Sequence, residues 1–315
     1  MKSLSVIPFI IGLIGYDKCV QDSPDLWKYG AEYTYRMKVN SSLTYAPTKK
    51  KSCSNNTIIF KCRSFSAASE DQADALQCRV QSGKSYQYNI NNSLQPPKFD
   101  SEEVQFNVQI KDKIFEMLYN KNGIHELRTD PSTTGAETVI FKTLAHHLNL
   151  EASDFDQTED SFTIYKREHS MIGLCKSQID ISTKIKFKSE QWTSRCSDKI
   201  HLETFTYGDK HPLIVINKTR DTTQCTFGIP HLFGDNQPNA SYNISKSSSF
   251  TEFVVAPQSF GSLTVSEGTL SVSHLPQKII TTEFIDVRLI SIDPATEPLK
   301  RITEIHSSTA KIVEL

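Results

Sequence analysis

Polar and apolar residues alternate through Trp27–Val39, with Tyr33, Tyr35, Met37 and Val39 on one side and Glu32, Thr34, Arg36 and Lys38 on the other. A period of two is that of a strand with one buried face. The same reading predicts short strands at 58–62, 104–110, 162–165, 173–181, 184–188, 202–207, 213–217, 251–256, 263–266, 269–273 and 279–292. Phe115–Tyr119 and Ile124–Leu127 form two runs joined across Asn122-Gly123, a pair favoured in tight hairpin turns. Residues 46–56 and the serine-rich patch Ser245–Ser249 read as loops, 293–315 as a tether, and Ala67–Leu76 as a weak helix.

One stretch breaks the strand pattern. Ile140, Leu144 and Leu148 recur every fourth residue, and Phe141 and Ala145 widen the stripe, while Lys142, Thr143, His146 and Asn149 fall elsewhere. Thr134 and Glu137 have capping-box spacing, and Pro131 prevents an earlier start. A lone amphipathic helix among strands must bury its stripe on a sheet. The expected fold class is therefore all-β dominated: antiparallel sheet wrapped around one amphipathic helix at about 135–149.

Cellular context comes from the start of the chain and from its composition. Residues 1–15 combine Lys2, an apolar run over 4–14 and a small residue at Gly15, the pattern of a secretory signal peptide. That run is too short to span a bilayer, which takes about 20 residues. Six glycosylation sequons, at Asn40, Asn55, Asn91, Asn217, Asn239 and Asn243, agree with export and are expected to mark exposed surface. The seven cysteines, Cys19, Cys53, Cys62, Cys78, Cys175, Cys196 and Cys225, read as disulfide partners in an oxidising compartment, with one left over. Lys and Arg total 35 against 36 Asp and Glu, so no overall field draws in nucleic acid or anionic membrane.

Catalytic and metal motifs are missing from the sequence. There is no Gly-x-Ser-x-Gly elbow, phosphate-cradling glycine loop, His-Glu-x-x-His or Cys-x-x-Cys. Asp154–Asp160 looks superficially like a calcium loop, but Glu159 stands where glycine is needed and Tyr165 where a bidentate carboxylate is needed. The adjacent His146 and His147 point about 100° apart on a helix, which suits solvated or hydrogen-bonded histidines better than a shared metal. The expectation is a protein that is not an enzyme and has no catalytic residue, metal or cofactor. Lys184, Lys186 and Lys188 share one face of a predicted strand about 7 Å apart, a local cationic patch. Lys49–Lys51 form a second cluster, read as solvated loop.

Four stretches in order resemble the N-terminal β-barrel of vitellogenins and related large lipid transfer proteins. They are Trp27–Tyr35, the hairpin and Asp130 before the helix, Glu168–Ile181 with its Gly-x-Cys, and Val215–Cys225. The resemblance covers about residues 25–292, so 16–292 is expected to be one barrel domain, followed by a tail over 293–315. It implies a Cys175–Cys225 disulfide and a barrel closed around the helix, with Cys196 as a competing partner. It also implies lipid as ligand and a lipoprotein-receptor ectodomain as a partner for the Lys184, Lys186 and Lys188 face.

The family continues into a helical domain and open sheets that enclose lipid, so the main lipid cavity is expected to be lacking here. The functional expectation is a secreted lipid-transport or yolk-protein-type module. The alternative is a stand-alone secreted recognition module that binds a receptor or microbial surface without carrying lipid.

Overall fold

A computed structural model describes residues 28–45, 50–65, 75–90, 102–104, 110–120, 123–150, 160–170, 173–182, 214–221, 225, 242–256, 259–272, 278–300, 302 and 310–311. The strands are β1 (Ala31–Tyr45), β2 (Lys50–Phe65), β3 (Ala75–Ile90), β4 (Glu102–Val104), β5 (Ile114–Asn120) and β6 (Gly123–Thr129). After the helix α1 (Gly135–Leu148) come β7 (Ser161–Ser170), β8 (Gly173–Ser182), β9 (Ile214–Asp221), β10 (Tyr242–Ala256), β11 (Ser259–Val272), β12 (Lys278–Pro294) and β13 (Ala310–Lys311). All pairings are antiparallel, in the order β13-β6-β5-β3-β2-β1-β12-β11-β10-β9-β8-β7, with β4 beside β3. The hydrogen-bonded path is open: β7 and β13 end it without pairing to each other, so the closed barrel that the family resemblance implies is not what the described strands form.

The sheet nevertheless curls, because residues from both of its halves share one core with the helix. Tyr33, Tyr35 and Met37 of β1, Phe115 and Met117 of β5, and Ile179 and Ile181 of β8 belong to the same buried cluster as Phe141, Leu144, Ala145 and Leu148. Phe141 stacks on Phe115 at 4.3 Å between ring centres, and Phe115 meets Phe60 edge-on at 6.1 Å. Glu137 N donates to Thr134 Oγ1, and Thr134 N donates to Glu137 Oε2, so the capping box fixes the start of the helix. The helix is covered beyond its apolar stripe: Thr143, His147 and Asn149 are buried too, and Asn149 Oδ1 accepts from Ile124 N. No helix among the described residues is long and apolar enough to cross a membrane.

Several boundaries differ from the sequence pattern. Lys50–Asn56, read as loop, opens β2, and its partners across the pair are Val39–Tyr45 of β1. Ala75 and Leu76, at the end of the weak helix, start β3. The strands at 263–266 and 269–273 are one strand, β11, and Ser245–Ser249 lies within β10. The hairpin is present, but Asn120 pairs with Gly123, so Gly123 begins β6 with φ +112° instead of lying at the turn centre.

The segment after β12 is fastened to the sheet. Ala295 N donates to Gly30 O, Arg63 to Glu297 O, and Gln77 to Lys300 O, while Ile302 N donates to Glu116. Ala310–Lys311 then pairs with β6. Residues 1–15, the strands at 184–188 and 202–207, Asp154–Glu159, Asn91, Cys19, Cys196 and Asn239 lie outside the described residues.

Candidate functional site on the concave face

The inward positions of the sheet form three tiers, because unshifted antiparallel register sets side chains on neighbouring strands opposite one another. At the level of the helix, Ile58, Met37, Val287, Ser262, Phe253 and Ile216 follow one another across six strands. Five are apolar. The sixth, Ser262, shares a 2.8 Å hydrogen bond with His147 Nδ1 on the helix. Burial and Arg220 push the His147 ring down to about 3, so it is neutral at neutral pH.

Two residues along each strand, the register runs Val39, Ile285, Thr264, Thr251, Lys218 and Ile179. Two residues further, it runs Ser54, Ser41, Glu283, Ser266, Ser249 and Arg220. This third tier is wholly polar. Ser177 and Lys166 continue it towards β7.

A buried charge cluster bridges the upper two tiers. Lys218 Nζ donates to Glu168 Oε2 at 2.8 Å, Arg220 Nε to Glu168 Oε1 at 2.6 Å, and Ser177 Oγ to Glu168 Oε1 at 2.8 Å. Arg220 also donates to Thr251 Oγ1 at 3.0 Å, which is hydrogen-bonded to Thr264 at 2.8 Å. Lys218 Nζ lies 5.3 Å from the centre of the Phe253 ring. Burial alone would raise the Glu168 carboxyl, but Lys218 and Arg220 outweigh it and hold it well below the usual range. The cluster carries two cations for one anion. His146 at the end of the helix is held neutral by burial and by Arg220.

Cys175 and Cys225 are disulfide-bonded, as the family resemblance implied. Cys175 is the register partner of Glu168, and Cys225 lies four positions past the end of β9, so the bridge fastens the strand bearing Lys218 and Arg220 beside the strands bearing Glu168 and Ser177. Cys62–Cys78 is a second disulfide, between register partners on β2 and β3, and Cys53 is also disulfide-bonded.

Of the sequon residues, Asn40 and Asn55 sit half-buried opposite each other on β1 and β2, and Asn217 is half-buried in β9; Asn243 lies in β10. Lys184, Lys186 and Lys188 are outside the described residues. No group of three or more His, Cys, Asp or Glu side chains placed to hold a metal ion occurs among the described residues.

The motif reading used Glu168 and Lys218 only as family markers and passed over Arg220's role. Their signal was a period-two pattern in β9, in which Ile214, Ile216, Lys218 and Arg220 share one face.

No protein-family model and no curated protein sequence matches the chain. Among solved structures, the fold is similar to that described as "Lipid-protein interactions in lipovitellin", with a TM-score of 0.57 and 10% identity over 90% of this chain. The chain spans 27% of the length of that lipovitellin chain, and at this identity the likeness is one of fold: an antiparallel sheet curled around a single helix is a vitellogenin-like arrangement.

Proposed function

We propose that the protein is a secreted lipid-transport-type module that acts by binding and not by catalysis. The observation that supports this reading is the likeness to the lipovitellin fold over nine-tenths of this chain. The disulfides Cys62–Cys78 and Cys175–Cys225 support secretion. Within the same proposal, the Lys184, Lys186 and Lys188 face docks to acidic modules of a lipoprotein receptor; its support is the strand spacing in the sequence.

A transfer assay tests the lipid role. The purified full chain is mixed with donor vesicles carrying a self-quenched fluorescent phospholipid and with unlabelled acceptors. Dequenching that rises with protein concentration is the expected result. Dequenching no faster than with serum albumin boiled and refiltered as a protein blank overturns it.

A further inference from the structure

Glu283 stands apart from the charges around Glu168. It lies on the inward face of β12, two residues from Ile285 and four from Val287, both in the core cluster. It is 5% exposed and has no hydrogen-bond or ion-pair partner among the described residues. Buried carboxyls ordinarily have partners, because desolvating one without compensation is costly.

Its immediate register neighbours are Ser41 on β1 and Ser266 on β11. Ser266 Oγ donates away from it, to Ser249 at 3.1 Å, and Ser41 shares a 2.6 Å hydrogen bond with Ser54 on its far side. Serine is also among the smallest polar side chains, so the positions beside this carboxyl carry less side-chain bulk than Met37, Val287 and Phe253 do in the lower tier. Exposure rises in the same direction: Met37, Phe253 and Val287 are buried, whereas Ser54 and Ser266 are half-buried and Gln87, the register partner of Ser54, is exposed. The polar tier thus lies towards an accessible end of the concave face.

We propose that Glu283, flanked by Ser41 and Ser266, is a binding site for a primary ammonium group. An R–NH3+ group presents three donors and no acceptor. An ammonium group that docks displaces the proton that burial keeps on Glu283 in the free protein, the proton leaving to solvent, so that the bound carboxylate supplies the countercharge. A hydroxyl oxygen has two lone pairs and can accept as well as donate. Register sets the three acceptor-bearing side chains next to one another on three adjacent strands. The surplus cation of the Lys218, Arg220 and Glu168 cluster lies three strands away on β9, about 14 Å along the sheet. At that distance it is no counterion for Glu283.

The ammonium comes from an aminophospholipid head group or from a free small amine. The first source rests on the proposed lipid-carrying role; the ammonium chemistry does not.

The test uses the full chain and a methylation series. Vesicles of phosphatidylcholine with and without phosphatidylethanolamine are compared by flotation, and free ethanolamine, N-methylethanolamine and choline by calorimetry. Wild type is expected to prefer the primary ammonium and to lose affinity stepwise with methylation. Glu283→Gln is expected to bind roughly tenfold more weakly or worse, the effect of one charge-assisted hydrogen bond.

Binding to vesicles alone identifies the lipid source, and binding to free ethanolamine alone identifies a soluble amine; both support the site. Equal affinity for choline and ethanolamine, equal affinity of wild type and Glu283→Gln, or no binding to any probe overturns it. The methylation series on wild type decides the matter even if the variant does not fold. Ethanolamine binding without any lipid transfer would remove the lipid role and leave the ammonium site standing.

Discussion

Arg220 Nε reaches Glu168 Oε1 across 2.6 Å although the two residues are 52 positions apart and lie on strands separated by β8. Lys218 reaches the other oxygen of the same carboxylate, so one anion compensates two buried cations. Removing one partner of a buried pair is more damaging than the pair's net contribution, because the remaining charge is left in a low-dielectric interior. Glu168→Gln is expected to destabilise the fold by about 3–5 kcal/mol. Urea unfolding checks this, and an unchanged midpoint would mean that solvent, and not Glu168, compensates Lys218 and Arg220.

The Cys175–Cys225 bridge closes a loop of 50 residues, which contributes about 4 kcal/mol in the chain-entropy model. The double variant Cys175→Ser, Cys225→Ser should unfold at lower denaturant. Amide exchange should increase first in β8 and β9, the strands that the bridge joins. Uniform loss of protection across the whole sheet would show that the bridge holds no particular strand.

Stability should peak at mildly acid pH because two buried groups act in opposite directions. Burial pushes the Glu283 carboxyl up to about 8. Its folded state holds a proton that the unfolded state releases near 4.5, so this contribution is complete below that pH and is lost as pH rises towards 8. His147, lowered to about 3, acts oppositely: its contribution is complete above 6.5 and is lost as pH falls. The groups facing Glu283 on the adjacent strands are the neutral Ser41 and Ser266; those around His147 are Ser262, His146 and Arg220. Melting temperatures over pH 4–9 should show Glu283→Gln flattening the alkaline limb only. A variant curve parallel to wild type would assign that limb to another group.

Leu144 is fully buried in the cluster shared by the helix and both halves of the sheet. Leu144→Ala should cost about 2–5 kcal/mol through lost contacts and a cavity. Leu144→Asp should cost more, since it adds an uncompensated charge. Secretion of Leu144→Asp at wild-type yield with an unaltered melting temperature would contradict a helix enclosed by the sheet.

The helix was legible down to its capping box because a period near four and the Thr134–Glu137 spacing are local signals. Most of the described strands were legible for the same reason, but β3, Ala75–Ile90, was not, because its serine- and glutamine-rich stretch lacks a clear apolar alternation. Strand length was not: 213–217 and 251–256 were read from their apolar residues, whereas β9 extends through Lys218 and Arg220 and β10 begins before Ser249, all three of which are buried. A polar inward residue resembles a solvated one until its partner on another strand is known. Glu168 is that partner, and the sequence distance between them hides it. The Ser245–Ser249 patch misled in the same way, since its composition is loop-like although Ser249 is buried in the polar tier.

The lipid-carrying role is tested most directly by what the protein holds when it leaves a cell. The full chain, secreted from a eukaryotic host and purified without detergent, would be extracted with organic solvent and its lipids quantified by mass spectrometry against protein. The account predicts phospholipid retained through size exclusion at a fixed molar ratio to the protein. Lipid no higher than that in a co-expressed secreted protein of unrelated fold would contradict it.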